Sequence, residues 1–202
     1  MSLPRLVGFS GSPRRPSKTR SLVERLAAEV ARRQQVRLDI YDLSDAGPGL
    51  GAALQRKDLT LPAARIIDAI EQADALIIGT PVYKGAYTGL FKHAFDLVDP
   101  RALVGKPVLL TATGGGTRHA LVVEHALRPL FGFFEALTVP TAVYASDADF
   151  VDGQLAEAGV LARVNTAAQQ LANLIGAEAP KAGTISSLSS ISLQAVRRGA
   201  AR

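Results

Sequence analysis

The chain has 202 residues and a formal net charge of +5, and 48% of its residues are hydrophobic, which predicts a folded globular protein of one domain. It has no cysteine, which excludes disulfides and thiolate chemistry. No apolar run approaches the roughly 20 residues of a membrane span, and arginines from residue 14 onward interrupt the apolar stretch that a signal peptide needs. We therefore expect a cytoplasmic protein with no membrane partner.

The charge is unevenly distributed along the chain. Residues 1–37 hold nine Lys/Arg and two acids, residues 38–180 hold ten and sixteen, and residues 181–202 hold four and none. A nucleic-acid-binding protein would carry a basic stripe with interleaved aromatic residues. Here the basic N-terminal cluster coincides with a loop that fits a phosphate, so we expect no nucleic-acid partner.

The loop of residues 10–21 follows an apolar run that ends at Phe9, and it precedes apolar residues at helical spacing. A helix that begins directly after a strand presents free backbone N–H groups and a positive dipole end to an anion. The loop lacks both Gly-x-x-x-x-Gly-Lys-Ser/Thr and Gly-x-Gly-x-x-Gly, which argues against a nucleoside triphosphate and a tightly held dinucleotide. A terminal phosphate monoester, as in FMN, suits four of the loop's hydroxyl side chains. These are Ser10, Ser12, Ser17 and Thr19.

Further along the chain, apolar strands alternate with helical patterns. Strands are predicted at residues 38–43, 75–79, 107–112 and 139–144, and helices at 63–72, 88–98, 120–137 and 155–175, with a loop at 44–62. This alternation predicts an α/β fold, a flavodoxin-like doubly wound five-stranded parallel sheet of order 2-1-3-4-5. Residues 1–177 are expected to form this domain, and residues 178–202 a flexible or interface-docking tail.

Ligands of open α/β sheets bind at the carboxyl ends of the strands, where three loops of this chain are expected to meet. Besides residues 10–19, the second loop has a backbone that can turn tightly and reach the edge of a flat heterocycle, through Pro81, Val82, Tyr83, Lys84 and Gly85. The third loop has glycines that allow a close main-chain approach and a histidine that we expect to touch the ligand or close the pocket. Its residues are Thr113, Gly114, Gly115, Gly116 and His119. No catalytic triad, carboxylate pair or metal-ligand set has suitable spacing, so the cofactor is expected to do the chemistry.

These motifs resemble the flavodoxin-like NAD(P)H-dependent FMN reductases over roughly residues 4–177. The resemblance rests on residues 11–14, residues 80–84 with Tyr87 and Gly89, residues 90–92, and residues 112–115 with His119. The most similar branch supplies reduced FMN to bacterial alkanesulfonate and methanesulfonate monooxygenases. By resemblance, the FMN phosphate is held by Ser10, Ser12, Arg14, Ser17 and Thr19, and the isoalloxazine is framed by residues 81–85 and 113–116.

One residue departs from the alkanesulfonate-type reductases, which carry a tyrosine where this chain has His125. In the family this position lies in a π-bulge at the oligomer interface, and such bulges often mark functional sites. A histidine there resembles the methanesulfonate branch. Two interpretations stay open: His125 is only an interface residue, or it contributes to the control of FMN exchange.

The resemblance implies an enzyme that passes a hydride from NADH or NADPH to FMN and releases reduced FMN to a monooxygenase, as a homodimer or homotetramer. The choice between the two nicotinamides stays open. Three alternatives also stay open. The protein could hold FMN tightly and reduce quinones, azo dyes or metals, it could be a non-enzymatic flavodoxin-like electron carrier, or it could be an interaction module that acts through residues 181–202.

Overall fold

The computed structural model of the protein describes residues 2–176, and the predicted tail at 178–202 lies outside them. The strands are β1 (Arg5–Ser10), β2 (Arg37–Asp42), β3 (Ala75–Tyr83), β4 (Ala86–Tyr87), β5 (Pro107–Gly114), β6 (Leu137–Thr138), β7 (Val143–Ser146), β8 (Phe150–Val151) and β9 (Gln154–Leu155). The helices are α1 (Lys18–Ala31), α2 (Leu43–Ala46), α3 (Pro48–Ala52), α4 (Leu61–Gln72), α5 (Gly89–Asp96), α6 (Arg128–Phe133) and α7 (Ala158–Gly176). Among these residues, no helix is both long and apolar enough to cross a membrane.

The main sheet is parallel, and its order β2-β1-β3-β5, followed by β6 and β7 beside β5, confirms the predicted flavodoxin-like arrangement. Successive strand residues point to opposite faces, so β1 sends Val7 and Phe9 to one apolar cluster and Leu6 to the other. The first cluster includes α4, α5 and α6, and the second includes α1 and α7. Because both faces are covered, β3 and β5 are almost continuously apolar.

The fifth position of the sheet differs from the single strand predicted at residues 139–144. Strand β6 pairs with the start of β5, with Pro107 opposite Leu137, whereas β7 pairs with its end, with Thr111 opposite Val143. The offset between partners grows from 30 to 32 residues, so two extra residues are inserted between the two short strands. Pro140 lies in this insertion, and proline has no N–H group to donate to a sheet.

The helix predicted at residues 120–137 is wrong at both ends. The chain forms a 3₁₀ turn at Thr117–His119 and a π-helical segment at Val123–Leu127, and α6 then ends at Phe133. Glu135 has a φ of 53°, its N–H donates to Gly132 O at 3.0 Å, and the N–H of Ala136 donates to Phe131 O at 3.1 Å. These two bonds form a Schellman ending without the usual glycine, so no residue type marked the end of the helix.

Two further boundaries differ from the sequence predictions. The predicted loop at 44–62 contains the short helices α2 and α3 and a 3₁₀ turn at Arg56–Asp58. The closing helix begins at Ala158, because residues 150–155 form the β8–β9 hairpin instead. Its turn residues Asp152 and Gly153 both have positive φ, which is the conformation that an Asp-Gly pair favours in a two-residue hairpin turn.

Candidate functional site

The three predicted loops meet at the carboxyl ends of β1, β3 and β5. The Gly11 N–H donates to Gly79 O at 2.7 Å, which ties the first loop to β3. The Thr88 hydroxyl donates to Gly11 O at 3.2 Å, which ties the first loop to the start of α5. Thr19 Oγ1 and Thr113 Oγ1 lie 2.6 Å apart in a buried hydrogen bond, so the first and third loops are joined directly.

The hydroxyl side chains of the first loop have different environments. Ser10 is completely buried, and its Oγ has no hydrogen-bond partner within residues 2–176. Ser12 Oγ accepts from the Arg14 N–H at 3.3 Å, and Ser17 Oγ accepts from the Arg20 N–H at 3.2 Å and so caps α1. A buried hydroxyl that lacks a partner is unfavourable, and a ligand rich in polar oxygens would satisfy it.

The cationic side chains of this loop are largely bound by carboxylates. Arg15 and Arg20 both donate to the fully buried Asp42, at 2.8 Å and 2.7 Å, and Lys18 Nζ lies 2.7 Å from Asp147 Oδ1. Burial raises the pKa of Asp42, but the hydrogen bonds from the two arginines outweigh burial, and its pKa is lowered overall. Arg14 is exposed, and no carboxylate within residues 2–176 pairs with it.

The second loop is the tip of a hairpin between β3 and β4. Val82 pairs with Tyr87 and Tyr83 pairs with Ala86, so Lys84 and Gly85 form a two-residue turn with φ values of 54° and 90°. Positive φ at both positions identifies a type I′ turn, for which glycine is favoured. Pro81 and Val82 are half-buried, whereas the tip from Tyr83 to Gly85 is exposed.

The third loop is held by one tyrosine of β7. The Tyr144 hydroxyl donates to Gly116 O at 2.6 Å, and a Cβ at Gly114 would lie only 2.5 Å from that hydroxyl oxygen. Gly114 is therefore required by close packing, whereas a Cβ at Gly115 or Gly116 would clash with no atom of residues 2–176. Burial, and then the nearby acids Asp147 and Asp149, raise the pKa of Tyr144. His119 is half-buried and accepts a hydrogen bond from Arg118 Nε at 3.1 Å.

Comparison with known proteins identifies the family. The sequence model of the family described as NADPH-dependent FMN reductase matches residues 4–150. The chain belongs to this family. It is 48% identical over 177 residues to the NADH-dependent FMN reductase SfnF of Pseudomonas fluorescens, covering 87% of this chain and 95% of that protein. It is 45% identical to an FMN reductase (NADPH) of Pseudomonas aeruginosa, covering 85% and 92% of the two chains.

A solved structure supports the same assignment. An oxidoreductase from Corynebacterium diphtheriae superposes with a TM-score of 0.78 at 34% identity, covering 88% of this chain and all of that one. The expectation of a flavodoxin-like NAD(P)H-dependent oxidoreductase that acts with FMN is thus confirmed for this FMN reductase family member. The first loop follows the carboxyl end of β1, and open α/β sheets bind their ligands at that edge.

His125 of this FMN reductase family member lies within the π-helical segment Val123–Leu127. Its side chain is exposed, and its backbone N–H donates to Leu121 O at 2.9 Å. The segment contacts β4, and its buried residues share the apolar cluster that Val82 and Tyr87 pack against. The π-helical segment therefore supports the second loop from outside the site.

Sequence reasoning missed four residues that shape the site: Asp42, Thr88, Tyr144 and Asp147. Asp42 ends β2, Tyr144 lies within β7, Asp147 directly follows β7, and Thr88 caps α5. Asp42 could have been found, because it lies one residue before the end of the second strand predicted at residues 38–43. The positions of Tyr144 and Asp147 depend on the interruption between β6 and β7, and the sequence pattern did not indicate that interruption.

Proposed function

We propose that the protein reduces FMN as an exchangeable substrate, takes the hydride from NADH or NADPH, and delivers reduced FMN to a flavin-dependent monooxygenase that acts on a sulfonate. The family supports nicotinamide-dependent FMN reduction. The names of the two Pseudomonas relatives differ in the nicotinamide, so both donors belong in the test. The monooxygenase as recipient follows from the resemblance described above.

The observation that carries the proposal is the meeting of three loops at one edge of the sheet, joined by the buried Thr19–Thr113 hydrogen bond. The unpartnered, fully buried Ser10 hydroxyl fits a ligand with polar oxygens at this edge. We assign the phosphate of FMN to the loop hydroxyls and the Arg14 guanidinium, and the ring to the space between the second and third loops. Those ring-side residues run from Pro81 to Gly85 and from Thr113 to Gly116.

Bound FMN supplies a hydride acceptor, and the protein supplies its position and its surroundings. The hydroxyls of the first loop satisfy phosphate oxygens, and the first turn of α1 presents N–H groups and a positive dipole end. Backbone N–H groups of the second loop are donors suited to charge that develops on a reduced ring. Because FMN itself accepts the hydride, this assignment requires no side chain that acts as an acid or a base.

Steady-state kinetics with dialysed protein tests the proposal. We expect oxidation of NADH, NADPH or both that depends on added FMN and saturates with it. Protein that stays yellow through dialysis and turns over without added FMN would identify a reductase that keeps its flavin. Failure to oxidise either nicotinamide would instead favour an electron carrier. Sulfite release from a sulfonate, on addition of a monooxygenase component, tests the delivery of reduced FMN.

We also propose that the protein assembles as a dimer or tetramer and that the exposed His125 lies at the interface. The exposed Leu121 lies on the same stretch of chain, one helical turn before His125. Sedimentation of the wild type and of His125→Ala, with and without FMN, tests this. A monomeric wild type contradicts assembly, and an unchanged mass and unchanged FMN exchange in the variant contradict a role for His125.

A further inference from the structure

The first loop and the start of α1 carry four cationic side chains, Arg14, Arg15, Lys18 and Arg20, and a phosphate site would ordinarily draw on such charges. In this structure three of the four are already bound by the protein's own acids. Arg15 and Arg20 share Asp42 and also approach Asp45, at 2.6 Å and 3.3 Å. Lys18 donates to the side chain of Asp147 at 2.7 Å.

The ion pairs of Asp42 and the ion pair of Asp147 differ in burial. Asp42 is completely buried and belongs to a capping box with Asp45 at the start of α2, so its position is fixed by the fold. Asp147, in contrast, is 62% exposed, and Lys18 is 39% exposed. The Lys18–Asp147 pair can therefore be altered with little effect on folding, because exposed ion pairs contribute little stability.

Asp147 also lies beside the third loop. Its Oδ2 would be 3.8 Å from a Cβ at Gly115, while its Oδ1 binds Lys18. The carboxylate thus lies where two parts of the site meet. We call residues 10–20 the phosphate side, and residues 81–85 and 113–116 the ring side. A phosphate bound here must therefore compete with Asp147 for Lys18.

We propose that these acids neutralise the loop cations in advance, so that the FMN phosphate is held mainly by Arg14, hydroxyls and backbone N–H groups and FMN exchanges between turnovers. This inference rests on the proposed function, because it assigns the FMN phosphate to the first loop. A phosphate monoester carries close to two negative charges at neutral pH, so each unpaired cation beside it strengthens binding. A cation that already has a carboxylate partner gains less from the phosphate, because the existing pair must be weakened first.

The test measures FMN binding by quenching of flavin fluorescence in Asp147→Asn. The variant removes the carboxylate charge that pairs with Lys18 and leaves the contacts of Lys18 with the Asp147 carbonyl and the Phe150 ring. The loss of that charge is expected to lower the dissociation constant of FMN about three- to tenfold and to make it more sensitive to salt. Riboflavin, which lacks the phosphate, is expected to bind the variant and the wild type equally. Asp96→Asn is the matched control, because it removes the acid of a surface ion pair with Lys92 on α5. We expect no change there.

A double-variant cycle separates the freed lysine from the mere loss of a negative charge. Lys18→Gln alone is expected to change FMN affinity by less than about twofold, and in the Asp147→Asn background it should remove the gain. The inference is overturned if Asp147→Asn binds FMN no more tightly than wild type, if riboflavin tightens equally, or if the gain survives in the double variant. Absence of nicotinamide oxidation with normal FMN binding would contradict the proposed function alone.

Discussion

The proposed phosphate side of the site and its proposed ring side are built by different means. On the phosphate side, side-chain charges are arranged around the buried Asp42, and most cations have a partner. On the ring side, the contacts are neutral and short: Gly114 against Tyr144, and Tyr144 to the Gly116 carbonyl. Charge therefore governs the proposed phosphate side, whereas shape governs the proposed ring side.

The Thr19–Thr113 hydrogen bond, where the two sides meet, gives the largest expected change in stability. Thr113→Val leaves the buried Thr19 hydroxyl without this partner, so the free energy of unfolding should fall by about 2 kcal/mol. Replacing both threonines by valine removes both polar groups and should restore most of that loss. Denaturant unfolding of the two single variants and the double variant measures the coupling. Additive losses would mean that the hydroxyls do not depend on each other.

Substitutions at Asp42 and Glu29 test whether the effect of a buried acid depends on its place in the fold or only on its charge. Both are buried acids bound by arginines, but Glu29 lies near the end of α1 with Arg25, Arg32 and Arg33. Asp42→Asn keeps a capping residue and removes the charge, which should lower stability by about 1.5 kcal/mol. Glu29→Gln should lower it by about 1 kcal/mol, because two of its arginines are largely exposed.

Flavin binding separates these two variants. Glu29→Gln should leave the dissociation constant of FMN unchanged, since its cluster ties α1 to α7 through Arg33 and Asn165. Asp42→Asn should lower the dissociation constant of FMN and leave that of riboflavin unchanged, because Asp42 holds two cations near the proposed phosphate position. Equal effects of both variants on FMN would contradict the distinction between the two clusters.

On the ring side, Gly114→Ala should displace the Tyr144 hydroxyl and break its bond to Gly116. We expect affinity for FMN and for riboflavin to fall together by about tenfold, which corresponds to about 1.4 kcal/mol. Gly132→Ala, on α6 outside the site, is the matched control, since no atom of residues 2–176 lies within 4 Å of its added Cβ. Adding Tyr144→Phe to Gly114→Ala removes the clashing oxygen and should recover part of the affinity. A loss confined to FMN would contradict the division between the two sides.

The sequence predicted the strand order and the meeting of the three loops, because buried parallel strands and loop composition are local signals. It did not predict the partners of the loop cations. Arg15 and Arg20 both bind Asp42, which lies 27 and 22 residues away along the chain, and no local pattern indicates such distant pairs. The helix end at Glu135 was missed for another reason: a positive φ at a glutamate leaves no trace in the residue pattern.

The smallest expected effect is the pH dependence that distinguishes the two sides. The pKa of Asp42 is lowered below its ordinary value of 3.8, so its ion pairs contribute full stability above pH 3.8. That contribution is lost as the pH falls through the lower, folded-state value. The stability advantage of wild type over Asp42→Asn should therefore shrink below pH 3.8, by about 1 kcal/mol or less because the arginines are partly exposed. The deficit of Thr113→Val should stay constant over the same range, because neither threonine titrates. Urea unfolding at several pH values measures both differences, and a deficit of Thr113→Val that varied with pH would show that charge also governs the ring side.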